Sequence, residues 1–185
     1  MIRRMILASV AVLSFALAAP LTAHAQSIFL LAGVSSPTGD FGDYAKTGWL
    51  GAVGVTFPVG DAGLWAGVEG SYGQNKHDED VAGVDAGDKT TLIGAMAILG
   101  YDIQTEGNVN PYVWGGAGLQ SHKFTSPLFP TFDETSSKFG YQFGAGVSIG
   151  SEDSNAHPFI EGRYQGSEDS KIIAGEVGVS IGVGN

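Results

Sequence analysis

The chain has 185 residues, no cysteine, 29 glycines and a formal charge of −10 from nine Lys+Arg against nineteen Asp+Glu. That balance argues against nucleic acid as a partner, because such binding rests on clustered Lys and Arg. Without cysteine, the disulfide framework common in small exported domains is excluded, so the fold must be closed by other means.

The chain opens with MIRRMILASVAVLSFALAAPLTAHA. Arg3 and Arg4 form a basic start, 5–17 is an apolar run, and Ala23-His24-Ala25 is an A-x-A cleavage site. These are the parts of a secretory signal peptide, and the run is shorter than the about 20 residues a spanning helix needs. Cleavage after Ala25 is expected, leaving one domain, 26–185, whose seven Lys+Arg and nineteen Asp+Glu give a formal −12.

From residue 26 onward no convincing amphipathic helix is found. Alternating segments recur instead, near 27–35, 46–58, 63–73, 89–102, 110–124, 138–150, 157–166 and 171–183. The clearest is KFGYQFGAGVSIG, 138–150. Phe139, Tyr141, Phe143, Ala145, Val147 and Ile149 share one face; Gly140, Gln142, Gly144, Gly146, Ser148 and Gly150 share the other. A sustained period of two is a strand. In 171–183, Ile173, Val177, Val179, Ile181 and Val183 oppose Ala174, Glu176, Gly178, Ser180 and Gly182. Segment 89–102 is apolar on both faces, which leaves its phase open. Pro111 and Pro158 fall at strand starts, where a missing N–H costs least.

The connections alternate in length. Those at 60–63, 105–108 and 151–156 are short, those at 36–45, 74–88 and 125–137 are long, and the last, 166–169, is short again. The pattern predicts an all-β fold, an eight-stranded antiparallel up-and-down transmembrane barrel. The segments suit the about 9–11 residues of a tilted spanning strand.

A soluble lipocalin-like barrel would show the same alternation, and the polar faces decide between them. A water-facing exterior should carry Lys, Glu and Thr. Here the polar faces hold mostly Gly, Ser and Gln, with few charges: Glu69, Glu161, Arg163 and Glu176. Small residues suit a narrow lumen, and the opposite faces of Val, Ile, Leu and Phe suit lipid. Phe57, Tyr72, Tyr101, Phe139, Tyr141 and Tyr164, with Trp49, fall near strand ends on the outer face, as interface aromatics do. Trp65, Tyr112 and Trp114 point inward and are expected to help plug the lumen.

The pentapeptide GVSIG occurs at 146–150 and 178–182 and matches the G-x-S-x-G nucleophile elbow. An elbow needs a sharp strand-to-helix turn, whereas both copies fall inside strands with no helix after them. Of the histidines beyond 25 (His77, His122, His157), none has a spacing that points to Ser148 or Ser180. No catalytic residue is expected.

The stretches AGVSSPTGDF (32–41), NPYVWGGAG (110–118), KFGYQFGAGV (138–147) and FIEGRY (159–164), in this order, resemble the small outer-membrane β-barrel family that includes the OmpA transmembrane domain, OmpX-like and opacity-type proteins. The resemblance implies insertion in a Gram-negative-type outer membrane. It also implies outer-membrane lipids and lipopolysaccharide as surroundings, and the barrel-assembly machinery as folding partner. Such barrels usually end in an aromatic; this chain ends in SIGVGN.

Glu161 and Arg163, two apart, share a face. Glu69 and Glu176 fall in the same lumenal phase, so the four are expected to cluster, as a static network or as a gate. Three carboxylates against one guanidinium imply a protonated carboxyl or lumenal water. The acidic stretch 74–88, with Asp78, Glu79, Asp80, Asp85 and Asp88, lacks the ligand spacing of a Ca²⁺ loop and reads as a solvated loop. Neither metal nor cofactor is expected. The expected function is non-catalytic, a structural or surface-interaction barrel with loops 36–45, 74–88 and 125–137 outside. The alternatives are a narrow pore for small solutes and the soluble ligand-binding barrel.

Overall fold

A computed structural model of the chain describes residues 26–128, 134–150 and 154–183. The expected signal peptide and its cleavage site lie outside them, as do 129–133 of the third long loop, 151–153 of a short turn and 184–185.

Eight strands follow in order: β1 (Gln26–Thr38), β2 (Gly48–Pro58), β3 (Leu64–Lys76), β4 (Lys89–Asp102), β5 (Val109–Thr125), β6 (Glu134–Ile149), β7 (Ala156–Ser167) and β8 (Lys171–Val183). Each pairs antiparallel with the next, and β8 pairs with β1 from Gln26↔Val183 to Thr38↔Lys171. The sheet is a closed barrel without a free edge, as a bilayer requires because unpaired N–H and C=O groups cannot be solvated there.

The connections are shorter than the sequence reading had them. Residues 36–38, 74–76, 125 and 134–137 of the long loops, and 156 and 166–167 of the short ones, belong to strands. On β6 the ladder continues through Ser137↔Ser121, Ser136↔His122 and Thr135↔Lys123. These polar residues lie at the loop end of the barrel, so backbone pairing persists there without the apolar alternation by which strands are recognised. The open phase of 89–102 is settled by pairing: Leu92, Met96 and Ile98 are buried, while Ile93, Leu99 and Tyr101 are exposed.

The outer face is a continuous apolar band. Val177 is 62% exposed and Phe139 67%, with Leu30, Leu119, Ile160 and Ile173 similarly bare. Water would disfavour such a surface, and acyl chains do not. Aromatics gather where the band meets the loop end, with Trp49 against Tyr72 (5.4 Å) and Phe143 stacked on Tyr164 (5.1 Å). Tyr101 and Phe57 mark the turn end, where the strands meet short connections. The soluble alternative does not fit this exterior.

The lumen is less polar than the sequence reading had it. One apolar cluster toward the turn end joins Phe29, Leu31, Met96, Ile98, Trp114 and Phe159, with Trp65 packed against it. A second toward the loop end joins Phe41, Ala45, Leu50, Leu92, Ile172 and Ala174. Side chains that exclude water from a narrow interior are stabilised as in any core.

Candidate functional site: the lumenal ion cluster

Between the two apolar clusters lies a layer of charge. Arg163, from FIEGRYQ on β7, has Gly144 and Ala174 as its neighbours across the two ladders. These small neighbours let the guanidinium reach across the barrel. On β3, Glu69 accepts from Nη1 at 2.7 Å and from Nη2 at 2.9 Å, a two-pronged pair. Arg163 Nη2 also donates to Glu161 Oε1 at 3.2 Å. Gln142 on β6 donates to Glu69 Oε1 (3.1 Å), and Tyr112 donates to Glu161 Oε2 (2.8 Å). The Trp114 ring lies 4.7 Å from the guanidinium carbon, in reach of a cation–π contact.

Glu176 stands apart within this set. Its Oε2 lies 3.0 Å from Arg163 Nε, but the Nε–H is not aimed at it, so the contact is Coulombic and not a hydrogen bond. Neither Glu176 oxygen accepts a hydrogen bond from the protein, although the side chain is fully shielded. Glu161 and Glu176 are also direct ladder partners. Two ionised carboxylates so placed repel, and the Arg163 guanidinium beside both offsets this.

Gln142 was not singled out in the sequence as part of the cluster. Its signal was an amide on the glycine-rich face of β6, one residue among many such. Arg163 is 2% exposed, so the cluster is buried in the middle of the lumen. A cavity of about 530 Å³ lies on its turn-end side, reaching Trp65, Tyr112 and Trp114 on the walls and Glu69, Glu161 and Arg163 at its inner end. Trp65 lines this vestibule and donates to Asp102 (3.1 Å). A second cavity, about 570 Å³, lies at the loop end.

The 178–182 copy of GVSIG sits within β8, and the 146–150 copy closes β6, with Gly150 just past the strand end. Ser148 donates to the Asn110 carbonyl. His157 stands opposite Ser180 on the ladder, a juxtaposition invisible in sequence spacing, and no hydrogen bond joins them. The glycines are there for space: a Cβ on Gly146 would meet the Tyr112 ring, and one on Gly178 the Phe159 ring. A second pair was also missed, His122 Nε2 with the buried Ser167 hydroxyl at 2.9 Å; the Ser170 N–H donates to the same hydroxyl, which ties β5 to the β7–β8 turn.

A closed eight-stranded barrel with a lipid-facing band and a buried layer of charge in its lumen is an outer-membrane barrel. Residues 7–184 match the family described as Outer membrane protein beta-barrel domain, and the chain belongs to it. Among solved structures it is similar to Neisserial surface protein A, at 20% identity and TM-score 0.60, over 84% of this chain and 96% of that one. It is similar to Ail, the attachment invasion locus protein of Yersinia pestis, at 20% identity and TM-score 0.56, over 88% and 100%. It is also similar to OprG of Pseudomonas aeruginosa, at 10% identity and TM-score 0.52, over 88% and 98%. These are likenesses of fold. No curated protein matches the chain in sequence. The protein resides in the outer membrane.

Proposed function

We propose that the protein is a non-catalytic, non-conducting barrel with a structural or surface-interaction role, presenting loops 36–45, 74–88 and 125–137 outside the cell. The observation that carries this is the Arg163–Glu69 pair, which bridges β7 and β3 across the lumen with both Nη atoms of the guanidinium engaged. A buried, doubly hydrogen-bonded pair exchanges partners slowly because breaking it leaves uncompensated charge. Outer-membrane lipids and lipopolysaccharide would surround the band, and the barrel-assembly machinery would insert it. In planar bilayers the purified protein is expected to show no unitary conductance steps; discrete steps would overturn the reading.

A narrow pore is the second reading. It is favoured by one feature: a cavity opens toward each end of the lumen, one reaching the cluster from the turn end and one at the loop end, with the buried Leu50, Leu92 and Ile172 between the second and the cluster. In that case Arg163 would swing between Glu69 and the carboxylates of Glu161 and Glu176.

A further inference from the structure

The loop-end cavity has a composition unlike the rest of the lumen. Along one side runs a ladder of rings: Phe41 to Tyr44 at 5.5 Å, Tyr44 to His77 at 5.0 Å, and His77 to Phe124 at 5.3 Å. Asp88 lines the same space while only 4% exposed. Its Oδ2 accepts the Asp85 N–H at 3.0 Å, but its Oδ1 has no partner. A second carboxylate, Asp169, also lines the cavity and accepts from Ser136. The one Lys at the wall, Lys138, is held by Glu168 at 2.8 Å.

We propose that this cavity binds a small organic cation through an ammonium group, with Asp88 as its acceptor and the Tyr44, His77 and Phe124 rings as its wall. Each part of the chemistry points the same way. A buried carboxylate oxygen without a donor is costly, and an ammonium supplies both the hydrogen bond and the opposite charge. Aromatic faces attract cations and give a bare metal ion no ligand. Among the described residues no group of three His, Asp or Glu could hold a metal. Burial holds the His77 pKa below its ordinary 6.5, so at neutral pH that residue contributes a ring and not a competing charge. The excess of carboxylates over the chain steers cations toward the mouth and anions away.

The inference goes beyond the proposed function and is independent of conductance, since the cavity lies on the loop side of the ion cluster. The test uses benzylamine as probe and benzyl alcohol as its neutral isostere, added to the protein in detergent micelles and followed by the ring-proton NMR signals of the histidines. His77 and His122 line this cavity, whereas His157 lines the opposite one. Benzylamine is expected to shift His77 and His122 saturably and leave His157 in place, and benzyl alcohol to shift none. Equal shifts from the alcohol, or a response at His157 of the same size, would overturn the proposal. Asp88→Asn is expected to weaken apparent affinity by about tenfold or more. Should that variant not fold, the exposed Asp169→Asn is expected to weaken binding by a smaller factor. An unchanged affinity in a folded Asp88→Asn protein would sink the assignment.

Discussion

Arg163 and Glu69 lie on strands β7 and β3, 94 residues apart in sequence, and are joined across the lumen by hydrogen bonds of 2.7 and 2.9 Å. The pair therefore closes distance that the β-ladder cannot. Arg163→Leu would leave Glu69, Glu161 and Glu176 facing one another without a cation. Removing one partner of such a buried set costs about 3–5 kcal/mol. The variant should lose its heat-dependent gel mobility shift at a temperature well below wild type. Unchanged heat resistance would show that the guanidinium contributes nothing to closure.

Glu176 should behave in the opposite sense. It accepts no hydrogen bond from the protein, and it stands directly across from Glu161. Glu176→Gln keeps the shape and removes one of the three carboxyl groups that share a single guanidinium, so heat resistance should hold or rise. Glu69→Gln breaks the two-pronged pair and should lower heat resistance by much of the Arg163→Leu effect. Equal losses from the two variants would mean that the cluster does not distinguish its carboxylates.

The strands were legible because lipid on one side and a narrow lumen on the other impose a period of two, as β6 shows from Phe139 to Ile149. Glu161 and Arg163 were legible as neighbours because a spacing of two puts them on one face, and they lie 3.2 Å apart. The phase of β4 was not legible, since KTTLIGAMAILGYD is apolar on both faces. Only pairing, such as Ser71↔Gly94, selects which side turns inward. Nor were the inward Leu50, Leu92 and Ile172, because an apolar residue that packs a lumen has the same chemistry as one that faces lipid. The His122–Ser167 bond spans 45 residues and leaves no local trace at all.

Two glycines of β8 test the crowding of the lumen. A Cβ at Gly178 would collide with the Phe159 ring and with the Leu30 carbonyl, which as backbone cannot give way. At Gly175, on the outer face, a Cβ meets nothing within 4 Å. Gly178→Val should therefore cost about 1–3 kcal/mol or more and reduce the yield of heat-shiftable barrel, while Gly175→Val should fold as wild type. Similar yields would mean that the inner wall can relax around added volume.

The loop that begins at His77 should loosen in mild acid. Its ring packs between Tyr44 and Phe124 and bonds the Thr90 hydroxyl at 2.8 Å. Burial lowers the His77 pKa below 6.5, and Asp88 opposes the shift only in part. The ordered loop then binds its proton less readily than the disordered one. The contribution of this group to loop order is present above pH 6.5 and falls as pH drops below it, levelling off once the folded pKa is passed. Proteinase K should cut within 77–88 faster at pH 5.5 than at pH 7.5, relative to an unstructured substrate measured alongside. His77→Gln should flatten that ratio, and a wild-type ratio independent of pH would rule out His77 as its source.

Chain geometry sorts the connections between the two ends of the barrel, and the end that faces outside can be tested directly. The β2–β3, β4–β5 and β6–β7 connections and both barrel ends, Gln26 and Val183, lie at one end of the barrel. The acidic 77–88 connection lies at the other, with Glu79, Asp80, Ala82 and Gly83 exposed. A barrel inserted from the periplasm moves one set of connections through the bilayer while its strands zip, and the barrel fold places long loops outside and short turns inside. An epitope placed between Ala82 and Gly83 interrupts neither a strand nor the Asp88–Asp85 contact, so the heat-dependent shift should survive. Antibody should then label intact cells to the same extent as lysed ones. Labelling only after lysis would invert the orientation, and the aromatic, carboxylate-lined cavity would then sample periplasmic solutes instead of those outside the cell.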